Sequence, residues 1–547
     1  MTDRTLPFKM TRRRLLVGTA ALTALSLGSG VRLANAATPA GADLMFLIDS
    51  LGPTWIPSNS STSSFQGHIW GHVTDKLVYV DAEGKASPWV AQSWEQNETA
   101  TEFTLHLDPN VTFSDGSPLD AAAVVANLDL WSAGRTADGL NPMGLFPKTY
   151  DRSEAVDATT VKVVFKAPTL GFIPTLGYHA SILIAPSTLA SPATDQADLS
   201  KTFGSGPFTV ESWKEGDYVK LVRREDYNWG PEAVGHTGPA LLDSITYKIV
   251  AEQSLRVAAV QAGQADIAYN ASPQELQSLQ DIGFTTVTPR YLGFVNGWAV
   301  NTQEAPMNDV KVRQALQSAI NRQEIIDTVY TPDWLLATSF IQSNTPGATD
   351  NSALLAYDPP RAEALLDEAG WIKGPNGFRA KDGKPLELVL HPNPYLTTAR
   401  AIDELIAQQL GRIGWKVVIR AYDVVTFGER VRFAGAGVPT YEVTRSFVDA
   451  GTVASILTDA NKGENWFNLG ESDPRVNDLR DRIATAASTE IRDPLLADLQ
   501  TYLLEQGYFI PRTQMVQRIY VQAPEINGTV YNATAFASYY LATKSNA

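Results

Sequence analysis

The 547-residue chain has no cysteine, only six histidines, and 44 basic against 59 acidic residues for a formal charge of -15. The missing cysteines exclude disulfides, thiolate metal sites, a cysteine nucleophile and the lipid-modified cysteine of a bacterial lipoprotein. The scarcity of basic clusters argues against a nucleic-acid or anionic-membrane partner, because those surfaces are met by concentrated Lys and Arg. No GxSxG elbow, HExxH helix, Walker loop or complete GxGxxG is present, and Gly435-Ala436-Gly437 lacks the third glycine. Neither a familiar hydrolase nor a nucleotide enzyme is expected, and no cofactor is implied. Apolar runs of the roughly 18 residues that a membrane span needs are also missing.

What is present describes a globular, exported protein. Hydrophobic residues make up 44% and charged residues 19%, enough for full cores, and the length suits about three or four folding units. The one dense basic cluster, Thr11-Arg12-Arg13-Arg14-Leu15-Leu16, precedes a moderately apolar stretch to about Gly30. The small-residue site Ala34-Asn35-Ala36 follows. That order is a signal peptide, and the arginine run resembles the twin-arginine (Tat) type. Residues 1–36 are therefore expected to be removed. Localisation is expected to be periplasmic, without a lipid anchor.

Further along, Leu44 to Ile48 reads as a buried strand leading into a Pro, Ser and Asn-rich loop. Val78 to Val80 with Asp81 to Gly84 reads as a hairpin, as does Phe208 to Leu221 around Lys214 to Asp217. Asp120 is placed to cap a helix carrying Val124, Leu128 and Trp131, and Leu255, Ala258, Ala259 and Ala262 form a helical stripe ended by Gly263. In the second half Asp309 and Asp358-Pro359 precede apolar helical faces. Leu386 to Leu390, a helix from Ile402 to Ile413, and Trp415 to Ala421 form a βαβ unit. Hairpins early and βαβ later predict two α/β lobes with an added β-rich subdomain.

Few residues invite a catalytic or metal reading. His68 and His72, four apart, could share a helix face, but no acidic third ligand stands nearby and they read as polar surface. The carboxylate pairs Asp49 with Asp75 and Glu464 with Asp473 keep a secreted hydrolase open as a rival, though sequence spacing cannot set the ~5–9 Å that glycoside hydrolysis needs. The 12 Trp and 19 Tyr suit a clamp, since flat rigid rings lose little entropy on binding.

Four ordered blocks carry a family resemblance. They are Pro88-Trp89-Val90-Ala91-Gln92-Ser93-Trp94-Glu95 running to Phe113-Ser114-Asp115-Gly116, then Gly204-Ser205-Gly206-Pro207-Phe208 with Tyr227-Asn228-Trp229. Asn301-Thr302 with Val312-Arg313-Gln314-Ala315-Leu316 and Asn321-Arg322, and Tyr357-Asp358-Pro359 with Ala369-Gly370-Trp371, complete the set. Together they resemble the family 5 solute-binding proteins of ABC importers, which include dipeptide-, oligopeptide- and nickel-binding proteins. The resemblance implies an α/β, type II periplasmic-binding-protein-like two-lobed clamp with an extra β-rich subdomain in lobe I. Lobe I would span 37–297, with 87–203 as the insertion, and return at 508–547; lobe II would span 298–507. The expected partners are a small-molecule or peptide ligand and the membrane permease, with the protein monomeric and not an enzyme.

The same resemblance implies site residues. Asp449, in Ser446-Phe447-Val448-Asp449-Ala450-Gly451, resembles the carboxylate that pairs with a peptide's amino terminus; the Asp-Pro that follows in peptide binders is Thr452-Val453 here. Arg400 resembles the arginine that takes a ligand carboxylate. Phe65, Gln66 and His68, and the pair Tyr178 and His179, resemble cleft-lining positions, and Trp298 and Trp466 are candidate aromatic walls. The ligand class implied is a short peptide or another amino-acid-derived solute such as an opine, with an oligosaccharide or metal chelate as the alternative.

Overall fold

The apolar run near the start of the folded chain becomes the spine of the first lobe. In the computed structural model, which describes residues 42–545 except 53, 433–436, 444, 454–472 and 517, strand Asp43–Ile48 buries Leu44, Phe46, Leu47 and Ile48. It lies at the centre of a seven-stranded mixed sheet. It pairs in parallel with Ser244–Ile249 and Ile267–Tyr269. Antiparallel partners extend the sheet on both sides, through Tyr218–Arg223 and Phe208–Lys214 on one and Tyr520–Gln522 and Thr285–Val287 on the other. The chain's late return at Tyr520–Gln522 thus completes a sheet begun almost 500 residues earlier. The signal segment and Trp466 lie outside the described residues.

The β-rich insertion is a four-stranded antiparallel sheet, ordered Ala91–Gln96, Glu102–Leu107, Thr160–Phe165, Tyr150–Ala155. Phe103, Leu105 and Leu107 alternate inward as the sequence pattern predicts. Helix Ala121–Ala133 is capped by the Asp120 side chain, which accepts from the Ala123 N–H at 2.9 Å. Such a cap satisfies an orphan amide worth about 1 kcal/mol.

Local signals are equally direct in the second lobe. Asp309 and Asp358 accept from the Lys311 and Arg361 N–H groups, starting helices Val310–Ser318 and Pro359–Glu368. The βαβ unit forms with Glu387–Leu390 parallel to Lys416–Ile419, and the intervening helix Ala399–Arg412 buries Ile402, Leu405, Ile406 and Leu410. A three-stranded antiparallel sheet, Thr440–Val443, Asn296–Val300, Phe509–Thr513, forms the centre of the lobe.

One helix turned differently from its pattern. In Gln253–Gln261 the buried residues are Arg256, Val257 and Val260, whereas Leu255 is 59% exposed. Arg256 donates to the carbonyls of Tyr269, Val250 and Ala251. Burying a long side chain with its donors satisfied swings the helix away from its alanine stripe.

Two stretches carry the chain between the lobes, one entering strand Asn296–Val300 and one leaving Phe509–Thr513, paired as neighbours at Asn296 and Thr513. The Gln342 side chain binds both: its Nε2 donates to the Tyr291 carbonyl at 3.1 Å and the Met515 carbonyl at 2.9 Å, and its Oε1 accepts from the Met515 N–H at 2.8 Å.

Candidate functional site

The lobes meet along a seam built from the insertion and first hairpin on one side and the loops around 292, 344 and 446 on the other. The Tyr178 hydroxyl lies 3.3 Å from the Ser446 carbonyl oxygen and 3.2 Å from its hydroxyl. Asn344 Nδ2 donates to the Ala82 carbonyl at 3.1 Å. Gly84, at φ +82°, approaches the second lobe so closely that a Cβ would stand 2.5 Å from Pro346 Cγ. The hairpin turn therefore needs glycine twice, for its left-handed backbone and for this approach.

Asp449 faces the same seam. It is 6% exposed, and its Oδ1 accepts from the Gly451 N–H at 2.7 Å and Arg492 Nη1 at 3.0 Å. Burial pushes its carboxyl up from the ordinary range, against the pull of Arg492. Across the seam a Cβ at Gly171 would lie 3.7 Å from Asp449 Oδ1. The absence of a side chain there leaves the carboxylate within reach of the other lobe.

The first-lobe wall is made by the loop before helix Gly67–Val73 and by the segment after Phe172–Thr175. Phe65 is half-buried. Gln66 is buried and donates to the Thr54 carbonyl at 2.8 Å. His68 sits against Phe46, Tyr269, Tyr520 and Phe536, with ring centroids 4.8–5.9 Å away. His179 lies 4.1 Å from the Tyr178 ring and 5.1 Å from Phe536. Burial first, then the positive charge of Arg518, holds both imidazoles well below their usual pKa, so they are neutral.

The expectation that His68 and His72 form polar surface is corrected: both are completely buried. His72 is a core histidine with a fixed tautomer. Its Nδ1–H donates to the His68 carbonyl at 2.7 Å, and its Nε2 accepts from the Tyr539 N–H at 3.0 Å. A second proton has no place on Nε2, and burial brings the pKa down to about 4. Among the described residues no group of three or more His, Cys, Asp or Glu could hold a metal ion.

Other candidates lie apart from the seam. Arg400 is 71% exposed and pairs with Glu404 one turn along its helix at 2.9 Å. Trp298 is 1% exposed in the second-lobe core, where its ring lies 4.9 Å from the guanidinium of Arg512. Arg512 in turn pairs with Asp403 at 3.1 Å and with Glu442, all three fully buried. Asp75 accepts from Trp229 Nε1 at 2.8 Å and the Tyr227 hydroxyl at 3.2 Å, which commits it to packing beside the second resemblance block. Asp473 caps helix Pro474–Ala484 and accepts from Tyr502 and Tyr508, and Glu464 lies outside the described residues.

Sequence reasoning passed over Arg518, Tyr291 and Phe536, all buried at the seam. In the sequence Arg518 follows Gln517 and directly precedes the apolar Ile519-Tyr520-Val521. Nothing in the sequence pairs it with residues some 340 and 450 positions earlier.

A two-lobed α/β clamp with buried polar groups gathered along its seam defines a solute-binding protein of the type II class. The chain belongs to the bacterial extracellular solute-binding proteins of family 5, whose middle region matches residues 85–463. These proteins bind a solute and deliver it to an ABC permease. The chain is 30% identical over 422 residues to the glutathione-binding protein GsiB of Pectobacterium atrosepticum, covering 75% of this chain and 74% of that one. It is 28% identical over 405 residues to GsiB of Escherichia coli K12, covering 73% of each. Among solved structures it resembles NikA from Brucella suis in complex with Fe(III)-EDTA (TM-score 0.77, 24% identity, 92% of this chain and all of that one). It also resembles a Pseudoalteromonas dipeptide-binding protein in complex with Met-Leu (TM-score 0.75, 19% identity, 92% and 100%).

Proposed function

We propose that the chain captures a short peptide or a related amino-acid-derived solute, glutathione-like or opine-like, between its lobes and catalyses no reaction on it. The observation that carries this reading is Asp449, a buried carboxylate at the seam whose pKa burial has raised. A ligand ammonium stabilises the ionised form of such a group, and each charge would be costly to bury alone. Among the described residues, the side-chain bonds of Asp449 to its own lobe end on Oδ1, and a carboxylate has a second oxygen to offer. Relatives named for binding glutathione and a dipeptide complex on the same fold support the class. Closure then follows from contacts made to both lobes at once, so ligand shifts the population toward the closed clamp. Export by the Tat route to the periplasm, without a lipid anchor, belongs to the same proposal and rests on the Arg12-Arg13-Arg14 segment and the absence of cysteine.

The test is a thermal-shift screen of purified protein against di- and tripeptides with glutathione, opines, oligosaccharides and nickel chelates as separate pools. Ligand at 100 times its dissociation constant stabilises by about 2.7 kcal/mol. The expected result is a shift with a peptide or opine pool that vanishes on N-acetylation of the ligand and in Asp449→Ala. A shift with oligosaccharides alone, or with chelates alone, rejects the amino-acid-derived class.

A further inference from the structure

The seam contains buried polar groups that the fold itself leaves unused. Both ring nitrogens of His68 and the Tyr291 hydroxyl have no hydrogen-bond partner among the described residues, and the His179 ring has no side-chain partner there, with the Thr62 backbone beside it. His68, Tyr291 and His179 are 0%, 0% and 7% exposed. Buried polar groups are ordinarily satisfied, and a cluster of exceptions calls for an explanation. These three share a neighbour. The Arg518 guanidinium lies 3.8 Å from the centre of the Phe536 ring, and that ring stands 5.0 Å from His68 and 5.1 Å from His179. The charge of Arg518 acts on both imidazoles and on the hydroxyls of Tyr178 and Tyr291. Tyr291 also packs with Leu396 and Ala399 of the second lobe, Met515 at the crossing and Ala535 of the first lobe. The group therefore touches both lobes. Glu442, the carboxylate whose charge acts on Tyr291, is committed to Arg512.

We propose that Arg518, Tyr291, His68 and His179 form the carboxylate-binding end of the ligand site, with Asp449 as its ammonium-binding end and Tyr178 between them. Tyr178 packs against His179 with the rings inclined at 50° and reaches Ser446, three residues before Asp449. A guanidinium offers a carboxylate a planar fork, and two neutral imidazoles and a phenol add up to three further donors without a competing charge. The assignment rests on the amino-acid-derived reading above and adds its polarity. It gives Arg518 the role that resemblance alone gave to Arg400.

Calorimetric titration with matched pairs of free-acid and C-terminally amidated di- and tripeptides, and with opines and their esters, tests it. In the wild-type protein, masking the carboxylate is expected to weaken binding at least about tenfold, the scale of one lost charge-assisted contact. Arg518→Gln is expected to remove the discrimination. Because that variant alters a buried charge, Tyr291→Phe is run beside it. Deleting a hydroxyl that the fold does not use is expected to leave the melting temperature of the ligand-free protein unchanged or raised, while binding of the free acid weakens several-fold. Equal affinity for acid and masked forms overturns the carboxylate end and leaves the peptide reading standing. So does a Tyr291→Phe variant that melts lower yet binds normally. Binding of no carboxylate-bearing pool in either form overturns both.

Discussion

Each lobe buries ionisable side chains, and one cluster in each uses them differently from the other. In the second lobe Arg512, Asp403 and Glu442 form a closed triad under the Trp298 ring. One guanidinium there stands between two acids of the same lobe, and burial pushes the Asp403 carboxyl up to about 8. In the first lobe the buried imidazole of His68 remains neutral, with neither ring nitrogen hydrogen-bonded among the described residues. The difference separates architecture from recognition. A group whose donors and acceptors are all taken by its own lobe gains little from a ligand, whereas one with an open donor or acceptor, such as the imidazole of His68 or the second oxygen of Asp449, gains more. It also explains why Trp298, a large aromatic at the lobe crossing, goes to holding an arginine.

The comparison breaks most severely at the triad. Arg512→Met leaves two carboxyls buried without their cation and is expected to destabilise by about 3–5 kcal/mol, measured as a fall in the midpoint of urea unfolding of the second lobe. In the first lobe His72→Asn is expected to cost about 1–3 kcal/mol at neutral pH by removing the acceptor for the Tyr539 N–H. The penalty should depend on pH. The imidazole has its ordinary pKa near 6.5 in the unfolded chain and about 4 in the folded one, so the unfolded state binds the extra proton first as pH falls. Its stabilisation is complete above about pH 6.5 and lost progressively down to about pH 4, amounting to about 3 kcal/mol. The stability gap between wild type and His72→Asn should narrow over that window. A gap constant from pH 7 to 4 would mean that the imidazole titrates normally.

Much of the fold was legible because local chemistry decided it. Asp120, Asp309 and Asp358 cap the helices they precede, and the alternation at Phe103, Leu105 and Leu107 gives the strand it indicates. What escaped was tertiary. Nothing local shows that Phe46, Tyr247 and Tyr539 close over helix Gly67–Val73, so His68 and His72 read as surface. The stripe in Gln253–Gln261 misled because the carbonyls of Val250 and Ala251 before the helix and of Tyr269 after it reward burial of Arg256. The candidate site was half legible: its loops carried family spacing, but Arg518 reaches them only through the fold.

Smaller effects sharpen the same contrast. Gln342→Ala removes three hydrogen bonds at the crossing and is expected to lower stability by about 1–3 kcal/mol, read by urea unfolding, with the ligand contacts themselves unchanged. Arg400→Ala removes one exposed pair within a helix. It should change stability by less than about 0.5 kcal/mol and leave titrated affinity where it was. A loss of affinity there would return the carboxylate partner to the second lobe.

The Gln342 side chain has a kinetic meaning as well. By tying Tyr291 in one connecting stretch to Met515 in the other, it prevents the two from sliding past each other. Together with the strand pairing at Asn296 and Thr513, that tie is expected to favour rotation of the lobes over slip. A clamp with one way to open has one barrier to cross, so solute should leave in a single exponential phase. Cutting that tie should split the release into several.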